Sequence, residues 1–424
     1  MNYLFMILMW HLAPFNAAAQ NEWSLQKCVD SALVNNSNIR LADRDIQISA
    51  AVLKGDKYNF LPSLNANTSY GYNWGQTIDP FTNEFASNRT QYTNFYLSSS
   101  VALFSGLSNI YQKKISSVGV QIASAQSDLR KRNLTVDVLS IYLQVKLNQS
   151  LIDMRKKHLL FMQEDLKKAS MLEELGYDVE AKRLEKEARY MQEKHQLVLA
   201  KNDYKSAIFL LQVTLGKAPD TLFTISDSII LQKINTIDDN AIETLQIERN
   251  LFTTKLLKAQ FFPTISINGA LGSGYSENST QLLGGVLTPI PFREQLDNNL
   301  YRSVSATLSV PIFNGTKSYA RIKVNELEQE QRKIELEQKS LDVLNKQMEL
   351  RLKIDNEKLA LEAAHKTLSA YEKLYSDSQV KYESETIDYF TYLQHKDAYL
   401  TAESEMIQAR FKLIFAELVL LLFQ

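Results

Sequence analysis

Apolar residues recur at 4-3 spacing along two long stretches of the chain and alternate with polar residues along four short ones. In the first long stretch Val118, Ile122, Ala125, Leu129, Val136, Leu139 and Leu143 keep the 4-3 spacing, which marks a coiled-coil seam. Val324, Leu327, Ile334, Leu341, Leu344 and Met348 carry the same seam in the second. No proline falls between Pro80 and Pro219, and none after Pro311. Proline is what breaks helix interiors, so both stretches are expected to be very long helices. The first is predicted from near Gly106 to about Leu172, a length of about 100 Å at 1.5 Å per residue. Its partner is predicted to return through Leu184 and Met191 to Leu215.

The four short runs have period two, the signature of strands. From Ser63 to Trp74 even positions are apolar or aromatic, Thr68 being the weakest, and odd positions are Ser, Asn or Gly. Phe95, Leu97, Val101 and Leu103 alternate with Tyr96, Ser98, Ser100 and Ala102. Ile265, Ile267, Leu271 and Tyr275 alternate with Thr264, Ser266, Asn268 and Gly272. Val304, Ala306, Leu308, Val310 and Ile312 alternate with Ser303, Ser305, Thr307 and Ser309. The strands are expected at 62–74, 92–104, 263–275 and 300–313, each about the 9–11 residues or slightly more that a tilted membrane strand needs. A soluble sheet with one wet face also alternates. The polar face here is nearly free of charge, with Arg302 read as its exception. Aromatic residues (Tyr70, Tyr72, Trp74, Phe81, Phe85, Tyr92) gather at strand ends and in the connecting loop, as in an interfacial girdle. Four strands cannot close a barrel, and an open edge is not tolerated in lipid. The functional unit is therefore expected to be an oligomer of two or three chains.

The chain is written twice. Asn59-Phe60-Leu61-Pro62-Ser63-Leu64 matches Gln260-Phe261-Phe262-Pro263-Thr264-Ile265, with Pro263 lying 201 positions after Pro62. Val101-Ala102-Leu103-Phe104-Ser105-Gly106 matches Val310-Pro311-Ile312-Phe313-Asn314-Gly315, with Gly315 lying 209 positions after Gly106. The second offset persists through Leu143 and Leu352, Leu184 and Leu393, and Ala207 and Ala416. Repeat 1 is assigned to 20–216, a connector to 217–238 and repeat 2 to 239–424, with helical hairpins at 106–215 and 315–424. Only Asp239–Gln260 precedes Pro263, so the second repeat is expected to lack a counterpart of the short helix Trp23–Val34.

Composition narrows the chemistry. The 424 residues include 13 Gly and 8 Pro, where average usage gives about 30 and 20. This scarcity excludes collagen-like and linker-rich chains. Length alone suggests two to three domains. A net charge of −1 argues against a nucleic-acid partner. Residues 1–19 read as a signal peptide, with Ala17-Ala18-Ala19 as cleavage site, although the segment before the apolar run has no Lys or Arg. Beyond it no run of 18 apolar residues exists. The single cysteine, Cys28, lies in Leu25-Gln26-Lys27-Cys28, without the small residues of a lipid-anchoring site. His158, His195, His365 and His395 lie in charged helical stretches and are expected on solvated faces. No metal, cofactor or catalytic set is expected.

These features resemble the TolC-like outer membrane efflux proteins. The resemblance runs from Trp23-Ser24-Leu25 to Phe423. It rests on Leu61-Pro62-Ser63-Leu64, Leu103-Phe104-Ser105-Gly106, their second-repeat counterparts, Glu174-Leu175-Gly176-Tyr177 and Leu211-Gln212-Val213-Thr214-Leu215-Gly216. It implies a mostly α fold with a membrane β-barrel part, built from a duplicated helix-strand-strand-long helical hairpin unit. It further implies a homotrimer, with a 12-stranded barrel in outer-membrane lipid and a 12-helix periplasmic tunnel meeting an adaptor and an inner-membrane pump. Asn65, Asn67, Ser69, Ser266 and Ser305 would line the lumen, and the tips around 175–180 and 382–388 would gate the tunnel. The candidate tip residues are Gly176, Tyr177, Lys182, Glu385, Asp388 and Thr391. The family often places an acid six positions after the tip glycine. Lys182 and Thr391 hold those places here, so no acidic ring follows from them. Gly176 suits a left-handed helix cap, a conformation that Glu385 is expected to adopt less readily. The alternative is a periplasmic coiled-coil adaptor or structural protein without a barrel.

Overall fold

The computed structural model describes residues 22–423 except 80, 84, 87–88, 178–179, 220–222, 228, 233–237 and 314. The expected signal peptide lies outside these residues. In chain order the elements are α1 (Leu25–Asn35), α2 (Ser37–Tyr58), β1 (Ser63–Asn73), β2 (Thr77–Ile78), β3 (Phe85–Ala86), β4 (Thr90–Ser105), α3 (Ser108–Glu174) and α4 (Glu180–Thr214). There follow α5 (Ala241–Ala259), β5 (Thr264–Ser276), β6 (Thr280–Leu283), β7 (Val286–Pro289), α6 (Phe292–Asn298), β8 (Tyr301–Ser309), α7 (Lys317–Glu383) and α8 (Tyr389–Leu422). Helices α3 and α7 are each 67 residues long, and α7 starts 209 positions after α3. The chain divides into two compact units.

One unit comprises the chain up to Arg44, Gln126–Asp239 and the chain from Lys339. Its core holds Leu25, Cys28 and Ala32 of α1, Leu139 and Tyr142 of α3, and Leu211 of α4 with Leu215 just beyond it, all 0% exposed. Helix α1 starts where the Ser24 hydroxyl accepts from the Lys27 N–H at 3.3 Å, satisfying one orphan donor of its first turn. Trp23 pairs as a parallel bridge with Ile225 and stacks on Phe223 at 5.1 Å. The buried Tyr142 hydroxyl donates to the Ser226 carbonyl at 2.8 Å, so α3 and the segment around Ile225 share a polar tie inside an apolar core. Burial pushes the Cys28 thiol up to about 12, so at neutral pH it is a small hydrophobe and not a nucleophile. Lys146, 6% exposed, pairs with Asp227 at 2.6 Å. Arg132 pairs with Asp239 and lies 4.4 Å from the Phe423 ring centroid.

The other unit comprises Asp45–Ala125 and Asn240–Gln338. Its centre is an antiparallel sheet of order β1-β4-β5-β8. Among the described residues the outer edges of β1 and β8 carry no further strand, so within one chain the sheet is open and not a closed barrel. A register shift between Ala102 and Phe104 makes Leu103 the extra residue of a bulge. The fourth strand, expected to reach 313, ends at Ser309. Pro311 has no N–H to donate to a ladder, and residues 310–313 leave the sheet despite their alternation. Short hairpins β2–β3 and β6–β7 and the helix α6 fill the inter-strand loops, where only irregular loop was expected. In the second half α5 stands before β5 as α2 stands before β1. Residues 229–232, where a counterpart of α1 would fall, are not helical.

Helix α4 ends in a Schellman motif, with Gly216 N–H donating to Val213 and Lys217 N–H to Gln212. Gly216 has φ 72°, and a Cβ there would lie 2.6 Å from the Asn35 carbonyl oxygen. Gly119 sits inside α3 with nothing within 4 Å of a Cβ. Gly216→Ala is expected to cost at least about 1–2 kcal/mol, and Gly119→Ala to gain about 1 kcal/mol of helix propensity. Thermal loss of helical circular dichroism checks both signs, and equal shifts would refute the assignment.

Candidate functional site

Strand register decides which side chains share a face. Ser63, Asn65, Asn67 and Ser69 of β1 lie opposite Ser100, Ser98, Tyr96 and Asn94 of β4. Those in turn lie opposite Asn268, Ala270, Gly272 and Gly274 of β5, while Ser266 faces Ala102. Ser305 and Thr307 of β8 face Asn268 and Ser266. Directly opposed residues project to the same side of an antiparallel sheet, so Asn65, Asn67, Ser69, Ser266 and Ser305 stand on one face. The Ser100 hydroxyl donates to Asn268 Oδ1 at 2.8 Å, and Asn268 Nδ2 donates to the Thr307 hydroxyl at 3.3 Å. The opposite face carries Leu64, Ala66, Phe95, Leu97, Ile267, Leu271, Val304 and Leu308. Arg302, read as a break in the polar face, pairs with Leu271 and so belongs to the apolar face. It sits one residue from the strand end, where a long side chain can carry its charge to an interface.

Two loops sit on different faces. The loop after β1 covers the polar face. Its buried Asp79 accepts from the Phe81 N–H at 2.9 Å and from the Ser276 hydroxyl. A Cβ at Gly274 would meet the Phe81 ring, so glycine is what lets that ring lie on the strand. Helix α6 covers the apolar face: Phe292 lies 5.3 Å from Tyr275 and 6.4 Å from Phe95 between ring centroids. The Ser273 hydroxyl, on the same face, donates to the Leu296 carbonyl at 2.6 Å.

The tip residues fall in the helical unit. Gly176 has φ 89° and caps α3, its N–H donating to Glu173 and the Tyr177 N–H to Leu172. Glu385 caps α7 in the same way, its N–H donating to the Tyr382 carbonyl and the Thr386 N–H to the Lys381 carbonyl. Glu385, expected to adopt this conformation less readily than glycine, does adopt it, with φ of 54°. The two capping bonds offset a strain of about 1–2 kcal/mol. Tyr177 is 62% exposed, and Lys182 projects from the first turn of α4 into solvent. Asp388 is the N-cap of α8: it accepts from the Thr391 N–H at 2.8 Å and from its hydroxyl at 3.0 Å. These donors hold the Asp388 carboxyl below its ordinary value. Asp388 and Thr391 thus form one capping pair.

Beside this tip lies a tyrosine ladder that was not anticipated. Tyr375 stacks on Tyr399 at 5.4 Å, Tyr382 on Tyr392 at 5.0 Å, and the Tyr375 and Tyr392 hydroxyls meet at 3.3 Å. Burial pushes the Tyr389 and Tyr392 phenols up. Burial likewise lowers Lys186, which lies 5.5 Å from the Tyr389 ring centroid. Tyr375, Tyr382 and Tyr389 follow one another at seven-residue intervals, the signal that would have located the ladder. The expected solvated His158 is instead 5% exposed and meets Glu403 Oε2 at 2.9 Å. It borders a groove of about 490 Å³ among α3, α4 and α8, with Arg155, Arg189, Glu193 and Asp397. Arg189 ties α4 to α8 through Asp397 at 3.3 Å. Among the described residues no cluster could hold a metal ion, and no helix is long and apolar enough to cross a membrane.

Residues 245–421 match the family model described as outer membrane efflux protein. No curated protein matches the chain. The outer membrane protein VceC of Vibrio cholerae superposes with a TM-score of 0.76 at 11% identity, covering 93% of this chain and 94% of VceC. The Campylobacter jejuni CmeC outer membrane channel gives 0.74 at 14% identity over 94% of this chain and 85% of CmeC. The Neisseria gonorrhoeae MtrE outer membrane channel, solved in its open state, gives 0.73 at 17% identity over 94% and 88%. At these identities the likeness is one of fold.

Two outcomes are expected at the tip. Tyr392→Ala should cost about 3–5 kcal/mol, as for other buried aromatic truncations, and Tyr392→Phe about 1 kcal/mol for one hydrogen bond. Denaturant unfolding of the detergent-solubilised protein measures both. Asp388→Ala should speed amide hydrogen exchange at Thr391, whereas Asp388→Asn, an equally good cap, should not. Because the folded carboxyl titrates below its unfolded value, the cap's contribution is full above the ordinary carboxylate range. It should fade only as pH falls through the lowered pKa.

Proposed function

Because residues 245–421 match the outer membrane efflux protein model, and 93–94% of the chain folds as outer membrane channels do, we propose that this protein is the outer-membrane duct of a tripartite efflux or type I secretion system. It would be a passive channel in the outer membrane of a Gram-negative bacterium, with a large periplasmic part and no enzymatic step. The carrying observation is the four-stranded sheet whose register separates an uncharged polar face from an apolar one. Three copies would supply twelve strands to a closed barrel, with Asn65, Asn67, Ser69, Ser266 and Ser305 toward its lumen.

The helices support the same reading. The equal lengths of α3 and α7 and their 209-residue offset fit a duplicated unit, repeat 1 over 20–216 and repeat 2 over 239–424. In α3 the seam residues Val118, Leu139 and Leu143 are 2%, 0% and 4% exposed. At the matching positions of α7, Leu327, Met348 and Leu352 are 50%, 58% and 59% exposed. One seam is satisfied within the chain and the other is left to a neighbouring copy, as in a homotrimer with a 12-helix tunnel. The tips, including Gly176, Tyr177, Lys182, Glu385, Asp388 and Thr391, would close that tunnel and open when a periplasmic adaptor docks. The adaptor would couple the duct to an inner-membrane pump, which supplies the energy. An adaptor reading of this chain itself is disfavoured, since an adaptor needs no sheet of long paired strands with one uncharged polar face and one apolar face.

Membrane fractionation followed by an unheated gel tests this reading. A heat-labile trimer in the outer membrane is expected, and a soluble periplasmic monomer would overturn it. In planar bilayers the purified oligomer should conduct with weak ion selectivity, because the lumen face bears no formal charge. Asp397→Ala, which releases the α4–α8 tie at Arg189, should raise that conductance.

A further inference from the structure

Between Glu277 and Arg293 the 15 residues 278–292 carry no charge. Within them β6 and β7 form a hairpin closed by Gly284 and Gly285, with φ of 60° and 87°, the geometry of a two-residue turn. Leu282 pairs with Leu287 and Leu283 with Val286. Successive pairs project to opposite faces of a ribbon, so the outer half of the hairpin is apolar on both sides, with the polar pair Gln281 and Thr288 nearer its base. Leu282, Leu283, Val286 and Leu287 are 69%, 58%, 63% and 68% exposed. A two-stranded ribbon is marginal in water, and one whose outer half has no wet face has nothing to gain there. Its setting indicates what surrounds it.

The base of the hairpin is fixed. The Ile290 N–H donates to the Ser279 carbonyl at 2.9 Å. The buried Gln295 amide donates to the Ile290 carbonyl at 2.8 Å and the Ser276 carbonyl at 3.1 Å, and accepts from the Ser276 N–H at 3.0 Å. Gln295 belongs to α6, which sits on the apolar face of the sheet through Phe292 and Leu296. The hairpin therefore leaves the sheet from its apolar side, whereas the other loop, with Asp79 and Phe81, folds over the polar side. Directly on that apolar face Leu300, Ala66, Phe95, Leu97 and Leu271 line a shallow depression of about 440 Å³. Charge returns only at Arg293, Glu294, Asp297 and Arg302, as at the edge of a hydrocarbon layer.

We propose that the β6–β7 hairpin is a lipid anchor whose tip inserts among the acyl chains of the membrane leaflet at the loop end of the strands. The inference rests on the reading of β1, β4, β5 and β8 as membrane strands, and its occupant is lipid hydrocarbon rather than a second protein. By this account one loop narrows the mouth over the polar face while the other holds the rim in the bilayer.

Leu283→Cys and Leu287→Cys, one on each face of the hairpin, would be labelled separately with an environment-sensitive fluorophore. Val304→Cys in β8 serves as the reference for the apolar sheet face. Cys28 is fully buried and stays unlabelled in the folded chain, which circular dichroism verifies for each variant. The full-length protein is reconstituted in phosphatidylethanolamine–phosphatidylglycerol vesicles containing nitroxide-bearing lipid. Both hairpin labels should lose fluorescence to the nitroxide to the same degree as the Val304 label, emit to the blue, and resist aqueous iodide. Quenching by iodide while Val304 is quenched by lipid would overturn the anchor alone. Shielding from both quenchers would also overturn it and point to a hairpin packed on another copy. Failure of lipid quenching at Val304 itself would overturn the membrane reading together with the anchor.

Discussion

Hydrocarbon offers no partner to a backbone N–H or C=O group, and each unsatisfied one costs several kcal/mol. The sheet of this protein has four strands and two open edges, β1 and β8. A strand surface that is apolar on one side, polar on the other and unpaired at both ends cannot be an end state in a membrane. Completion by further copies answers both problems at once, because it pairs the edges and encloses the polar face. Most other features of the chain follow from that requirement. The polar side chains of the sheet are uncharged. The loops at the strand ends are tied to β5 by the buried Asp79 and Gln295 side chains, which meet Ser276.

The same logic of incomplete surfaces extends to the helices. Val118, Leu139 and Leu143 are buried within the chain, whereas Leu327, Met348 and Leu352 at the matching positions are half exposed or more. Seam positions matched at a 209-residue offset thus differ in how far the chain itself covers them. The hairpin tips solve a smaller problem. A helix turning back on itself needs a left-handed residue, and Gly176 meets this without strain. Glu385 meets it with strain that its capping bonds offset. Asp388 then restarts the chain as α8, held by Thr391. Around this turn the tyrosine ladder and the Arg189–Asp397 pair tie the neighbouring helices to one another.

Much of this was legible in the residues. The 4-3 seams and the proline-free stretches located α3 and α7, and alternation located the strands, because both signals report burial at a fixed geometric period. That Asn65, Asn67, Ser69, Ser266 and Ser305 share one face of the sheet was legible for the same reason. Apart from the tyrosines at seven-residue spacing, what escaped had no period of its own. The hairpins and α6 depend on the Asp79 and Gln295 side chains, whose partners lie across the sheet. The burial of His158 depends on Glu403, which is 245 positions away. The early end of β8 was readable from Pro311 but was outweighed by alternation that continued past it.

By itself the sequence determined the element types, the duplication, the uncharged polar face and the resemblance to an export channel, since each is encoded in local spacing. The tertiary structure decided the order β1-β4-β5-β8, the bulge at Leu103, the face on which each loop lies, the apolar side for Arg302, and which of the two helical seams is left uncovered. Those outcomes depend on which distant segments meet and in what register, and a one-residue change of register would reverse every face.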